Sequence, residues 1–206
     1  MIKVVLFDFD GTLAQTMLPA LKIANRLAPE YNLKKISLKE AEKLKDLGAK
    51  EIIKLYKIPF YKVPQIVLRI RKELSKELPK IKAFPGIKEV LTKLKKRNMV
   101  LGIVTSNSKE NVEQFLKNNG ILEIDFIYSE LNFFGKGKVI KNLLKKRKIN
   151  PKTALYVGDE VRDVEAARNG GVKVVAVSWG YNSRKKLHEQ KPDFLIDKPK
   201  ELFKLI

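Results

Sequence analysis

The residues best suited to chemistry stand at the start of the chain. Asp8-Phe9-Asp10-Gly11-Thr12 closes an apolar run, Ile2 to Phe9, that only Lys3 and Asp8 interrupt. Two carboxylates two residues apart would point to opposite faces of a continuing strand. Gly11 lets the chain turn there, so both can converge on one pocket. One carboxylate can attack phosphorus to give an aspartyl-phosphate. The other can protonate the departing alkoxide and later deprotonate a water. The plainer alternative is a strand end whose aspartates satisfy turn N–H groups. Two aspartates at the tip of an apolar strand, followed by Gly-Thr, weigh against it.

Three later stretches could complete such a site. Gly102-Ile103-Val104-Thr105-Ser106-Asn107-Ser108 reads as a strand ending in small polar residues, whose hydroxyl and backbone N–H groups can donate to a phosphate. Ser108 also suits the N-cap of the following helix. Gly135-Lys136-Gly137-Lys138 opens a helix, where a lysine and the helix N-terminus can together offset phosphoryl charge. In so basic a chain, a lysine is more often surface than catalytic. Gly158-Asp159-Glu160-Val161-Arg162-Asp163 is an oxygen-rich patch suited to Mg²⁺. Acidic residues at a helix N-terminus also explain Glu160 and Asp163, but explain Asp159 less well.

The elements that must position these residues follow from hydrophobic period. The opening run suits a strand buried on both faces, as in a parallel sheet, with Asp8 and Asp10 at its C-terminal end, where open α/β sheets place ligands. From about Ala14 to Lys82 the period turns helical. Ser37 and Glu40 form a capping-box pattern, and Ile66, Ile70, Leu74 and Leu78 recur every four residues between Pro64 and Pro79. This stretch reads as an all-helical insert of about four helices. After Phe84-Pro85-Gly86, helices alternate with strands at Met99–Thr105, Phe126–Tyr128, Thr153–Val157, Val172–Val177 and Phe194–Ile196, and Pro199 opens a last helix. The expected fold is α/β, a Rossmann-like parallel sheet with helices on both faces. Core residues 1–13 and 84–206 are expected to flank a small helical cap, 14–83, inserted after the first strand.

Composition sets the class. Of 206 residues, 44% are hydrophobic and 32% charged, which is globular rather than disordered. No apolar run approaches transmembrane length, and the N-terminus is too short and too soon acidic for a signal peptide, so a cytoplasmic location is expected. Cysteine is absent, which excludes disulfides and thiolate chemistry. The net charge of +20 raises a polyanion partner, but the basic residues spread over nearly every helix without an aromatic-interleaved stripe. A lysine-rich surface that steers anionic substrates explains that spread. His188, the one histidine, lies in a polar stretch and reads as surface; Trp179-Gly180-Tyr181 reads as packing.

In this order, the four elements resemble the haloacid dehalogenase superfamily of hydrolases over 1–13 and 84–206. Asp8-Phe9-Asp10-Gly11-Thr12 is the most specific part, then Gly158-Asp159 with Asp163. The resemblance implies Asp8 as nucleophile and Mg²⁺ ligand, and Asp10 as acid/base binding the metal through its carbonyl. It implies Thr105 and the Ser106 N–H on the phosphoryl oxygens, Asp159 on the metal, and Asp163 on it directly or through water. Lys136, 23 residues before Asp159, has the spacing and Lys-Gly start of phosphoserine phosphatase-type members, with Lys138 as fallback. Asp10 favours phosphoryl transfer, because true dehalogenases lack an aspartate there. The helical cap and Phe84-Pro85-Gly86 are similar to phosphoglycolate phosphatase-like and β-phosphoglucomutase-like members.

The function expected is a Mg²⁺-dependent phosphatase for a small phosphorylated metabolite, acting as a monomer or homodimer. Lys45, Lys50, Lys54 and Lys57 of the cap could meet an anionic leaving group, although most fit a solvated face. Two rivals stand beside it. A phosphomutase would use the same motifs but return the phosphoryl group. A nucleic-acid or polyanion binder with a vestigial core, or a nucleic-acid phosphatase, would show salt-dependent affinity for DNA or RNA.

Overall fold

Val4–Phe7 forms strand β1, buried at every residue, and its alternation organises the molecule. A computed structural model of the chain describes residues 1–130 and 136–206, with Lys136 described by its backbone alone. Among them, β1 pairs in parallel with β2 (Val100–Thr105) on one side and β4 (Ala154–Gly158) on the other. β3 (Phe126–Ser129), β5 (Lys173–Val177) and β6 (Phe194–Ile196) complete a six-stranded sheet in the order β3-β2-β1-β4-β5-β6. Every pairing is parallel. The chain first builds outward from β1 through β2 and β3, then crosses back to β4. β1 and β4 therefore flank the point where the winding reverses, and strand tips splay into a crevice there.

Two cores cover the two faces. Val5 and Phe7 point into one, with Val90, Leu91 and Leu94 of α5 (Ile87–Lys96) and Val112 and Phe115 of α6 (Lys109–Asn118). Val4 and Leu6 point into the other, with Ile140 and Leu143 of α7 (Lys136–Lys146) and Val164 and Ala167 of α8 (Val161–Gly170). Burying each of the valine, leucine, isoleucine and phenylalanine side chains among them is worth about 1.5–3 kcal/mol. The edge-to-face stack of Phe9 on Phe115, 4.9 Å between centroids, adds about 0.5–1.5 kcal/mol.

Between β1 and α5 the chain forms four α-helices and no strand: α1 (Met17–Leu27), α2 (Leu38–Leu44), α3 (Ala49–Leu55) and α4 (Val63–Glu77). The Ser37–Glu40 capping box forms, with Glu40 N–H donating to Ser37 Oγ and Ser37 N–H to Glu40 Oε2. Ile66, Leu74 and Leu78 are buried, as the four-residue period predicts. The insert has no sealed core of its own. Ile23, Leu27, Leu74 and Leu78 belong to the same apolar cluster as Phe7 and Phe115.

Chain entry and exit run side by side. Ala14 bridges Ala83, Gln15 N–H donates to Lys82 O at 3.0 Å, and Phe84 N–H donates to Leu13 O at 3.0 Å. Asn119 pins the exit strand by accepting from Ala83 N–H and donating to Ile81 O.

Two expectations change near the C-terminus. Pro199–Lys204 is a 3₁₀ turn rather than an α-helix, and Arg184–Glu189, read from sequence as a polar stretch, is a six-residue helix, α9. Ser183 caps it by accepting from Lys186 N–H. Six residues carry only one buried position, Leu187, too few to show a period.

Gly102 sets the spacing of β2 against β3: a Cβ there would fall 2.3 Å from Phe126 Cζ. Gly102→Val should cost about 1–3 kcal/mol by overpacking, read as a fall of several degrees in Tm by calorimetry.

Candidate active site

Asp8 continues the β1 ladder by one residue, its N–H donating to Val157 O at 2.8 Å. Its carboxylate, 4% exposed, then meets Asp159 and Asp163, both fully buried. One oxygen from each of the three lies within 4.8 Å of the others.

Each acidic residue is held differently. Asp159 Oδ1 accepts from Thr12 Oγ1 and Oδ2 from Tyr181 N–H, both at 2.7 Å. Asp163 Oδ2 accepts from the N–H groups of Asp159 (3.1 Å) and Glu160 (3.0 Å), which caps α8 and braces the Asp159 turn. Burial first, then the charges of Glu160, Asp163 and Asp8, push the Asp159 carboxyl far above the carboxylate range. Three buried carboxylates at this spacing repel one another, and a hard divalent cation is the charge that offsets such a set. The donor set is all oxygen and matches Mg²⁺.

Asp10 lies just beyond the turn. Asn107 Nδ2 donates to its Oδ2 at a long 3.5 Å, and Thr16 also bonds it. Tyr181 OH donates onward to Thr16 Oγ1 at 3.2 Å. Desolvation, followed by the Asp8 charge, raises the Asp10 carboxyl to about 6. A carboxyl in that range can hold a proton or give it up near neutral pH.

The remaining sequence candidates divide. Thr105 is buried at the tip of β2, its Oγ1 accepting from Asn107 N–H at 2.9 Å. Ser106 is half-buried beside it, and Ser108 caps α6. The Lys136 side chain lies outside the described residues, while Lys138 is exposed. Lys50, Lys54 and Lys57 are exposed. Lys45 is mostly covered and pairs with Glu42 at 3.1 Å.

Three features escaped the sequence reading. Trp179-Gly180-Tyr181 is part of the site wall: Trp179 Nε1 donates to Thr12 O at 3.1 Å, and Tyr181 N–H holds Asp159. A Cβ at Gly180 would fall 2.1 Å from Asp159 Oδ2, and one at Gly11 (φ +83°) 2.3 Å from the same atom. Asn182 ties the helical insert to the core, donating to Lys45 O at 3.2 Å and Leu47 O at 3.1 Å while accepting from Val161 N–H. Arg71 of α4 donates to Ser106 Oγ. A Gly at a strand end facing a motif aspartate was the available signal for the first feature. Nothing in the sequence separates Arg71 from the other basic residues.

The sequence pattern of haloacid dehalogenase-like hydrolases matches residues 5–177. The chain belongs to that family. Phosphoglycolate phosphatase of Synechococcus elongatus is 32% identical over 99% of this chain and 97% of its own length. Pyrophosphatase PpaX of Bacillus thuringiensis is 29% identical over all of this chain and 96% of its own. A haloacid dehalogenase-like family hydrolase from Streptococcus pneumoniae superposes with a TM-score of 0.81 at 23% identity, covering 99% of this chain and 98% of that one. This member of the family is therefore a hydrolase with the Rossmann-like fold, and no helix of its described residues is long and apolar enough to cross a membrane.

Gly180→Ala tests how closely the turn is fitted to Asp159. The variant should keep its far-UV circular dichroism but bind Mg²⁺ at least about tenfold more weakly by titration calorimetry, because its Cβ displaces Asp159 Oδ2 from the acidic cluster that could hold the ion.

Proposed function

We propose that this chain is a Mg²⁺-dependent phosphatase that hydrolyses a small phosphate monoester through an aspartyl-phosphate on Asp8. The observation that carries the reading is the pairing of two unlike carboxyls. Asp8 stands among the acidic residues at the sheet tip, whereas Asp10 is raised to about 6 and hydrogen-bonded by Asn107 and Thr16. Carboxyls held in environments that differ this way are suited to separate roles as nucleophile and acid/base.

In this reading Asp8 Oδ attacks phosphorus in line with the ester oxygen. The P–O bond breaks, and Asp10 gives its proton to the departing oxygen. Asp10 then takes a proton from the water that attacks the aspartyl-phosphate, releasing phosphate and restoring Asp8. Thr105 and the Ser106 N–H hold phosphoryl oxygens, and Lys136 at the start of α7 balances their charge. Asp8, the Asp10 carbonyl and Asp159 would hold Mg²⁺, with Asp163 behind them. When bound, the ion offsets the carboxylates' repulsion of the incoming phosphate.

Segment 14–83 serves as the cap. Its contacts through Asn182 and Arg71 join it to the core, and closed over a seated substrate it keeps bulk water from the reaction. The names of the Synechococcus and Bacillus relatives support a small phosphorylated substrate. The spread of exposed lysines on the helices supports a solvated surface rather than a nucleic-acid track. Pairs such as Lys93–Glu89 and Lys109–Glu113 occupy that surface.

Turnover of p-nitrophenyl phosphate should require Mg²⁺ and be lost in EDTA. Asp8→Asn should lower kcat by about 10⁴-fold or more, because no other group supplies the nucleophile. Asp10→Asn should lower it by about 10²–10⁴-fold. Full activity in Asp8→Asn would refute the mechanism.

A further inference from the structure

Residues 178–183, between β5 and α9, meet the acidic set on one side and the helical insert on the other. Toward the acidic set, Tyr181 N–H donates to Asp159 Oδ2 at 2.7 Å, and Asn182 N–H donates to Asp159 O at 3.3 Å. Toward the insert, the same stretch meets residues 45–48, the turn between α2 and α3. Asn182 Nδ2 donates to Lys45 O at 3.2 Å and to Leu47 O at 3.1 Å. Ser183 N–H donates to Lys45 O at 2.9 Å, and the Ser183 hydroxyl donates to Asp46. Lys186, in the first turn of α9, pairs with Glu51 of α3 at 3.2 Å.

Asn182 is the joint between the two sides. It is buried, and its amide is fully committed: Oδ1 accepts from Val161 N–H at 2.9 Å at the start of α8, while Nδ2 is spent on two carbonyls of the insert. One N–H facing the amide from the core and two carbonyls facing it from the insert admit a single orientation. Its chain neighbours divide in the same way, Tyr181 holding Asp159 and Ser183 holding the insert. When residues 45–48 lift away, Asn182 and Ser183 lose those acceptors together. Buried donors left without acceptors are costly, so the stretch must rearrange or take up water, and the hold of Tyr181 N–H on Asp159 loosens with it.

We propose that Asn182 is a positioning residue through which docking of the insert and Mg²⁺ binding at Asp8, Asp159 and Asp163 favour each other. The inference rests on the Mg²⁺ part of the phosphatase reading and adds a route by which the position of the insert is felt at the acidic set. Such coupling is reciprocal. A docked insert fixes Asp159 for the ion, and an ion that fixes Asp159 steadies Asn182 for the insert.

Two measurements on the full chain test it. Titration calorimetry gives the Mg²⁺ affinity of the wild-type chain, of an Asp46→Ala/Glu51→Gln double variant, and of a Glu89→Gln/Glu113→Gln control. The first pair weakens the insert's side-chain contacts to Ser183 and Lys186 and leaves Asp8, Asp159 and Asp163 untouched. A glutamine at 51 can still accept from Gly48 N–H, as Glu51 does at 2.6 Å. The control removes the same charge from exposed faces of α5 and α6. The first double variant should bind Mg²⁺ about fivefold or more weakly than the control.

Hydrogen exchange reads the reverse direction. Mg²⁺ should slow amide exchange across residues 44–56 of the wild-type insert by about threefold or more, and Asn182→Ala should abolish that slowing. A residue that merely stabilised the fold would change exchange equally with and without the ion. Should Asn182→Ala not fold, the double variant and its control still decide. Equal Mg²⁺ affinity in the double variant and the control, or exchange in the wild-type insert that ignores Mg²⁺, overturns the coupling while leaving the phosphatase reading standing. A folded wild-type chain that binds no Mg²⁺ overturns the Mg²⁺ reading and this inference with it.

Discussion

Asp8, Asp159 and Asp163 crowd three carboxylates into the end of a parallel sheet, each almost wholly removed from water. Burial drives the Asp159 carboxyl to keep its proton. The local structure answers with donors: the Thr12 hydroxyl and Tyr181 N–H on Asp159, and two successive N–H groups at the start of α8 on Asp163. A divalent cation would complete the balance. The turn after β1, the capping of α8 and the path of the chain after β5 all serve to hold these carboxylates in place.

The close fit also explains where side chains are missing. Gly11 and Gly180 approach the same oxygen of Asp159 from two different loops, and a Cβ on either would collide with it. A third clearance, at Gly158, makes room for Asp163. At these glycines backbone forms the wall, so the Tyr181 N–H beside Gly180 can reach Asp159.

The helical insert is coupled to this wall at two levels. Its two connecting strands are hydrogen-bonded to each other and pinned by Asn119, so entry and exit of the insert are fixed as a pair. Farther out, Asn182 and Arg71 fasten it to the core through hydrogen bonds. Apolar packing continues from the core through Leu78 and Leu74 into the insert, so the polar contacts, which solvent can replace, are the ones that can be exchanged.

Much of this was legible without coordinates. Strands buried on both faces must be apolar throughout, so β1, β2, β4 and β5 stand out as short hydrophobic runs, and the acidic residues just past β1 and β4 are conspicuous because charge rarely follows such runs. The four-residue period of α4 and the Ser37–Glu40 box marked the insert as helical for equally local reasons. Short elements such as α9 carry too few buried residues to register. What lay beyond reading was whatever depends on distance across the fold: the strand order, Tyr181 and Gly180 closing on Asp159, Asn182 gripping the insert, and Arg71 reaching Ser106. Sequence alone determined which residues could do the chemistry and which elements would carry them, because those follow from side-chain type and local period. Only the tertiary structure decided which side chains meet, because residues 71 and 106, or 12 and 159, become neighbours only when the sheet and the insert close around one crevice.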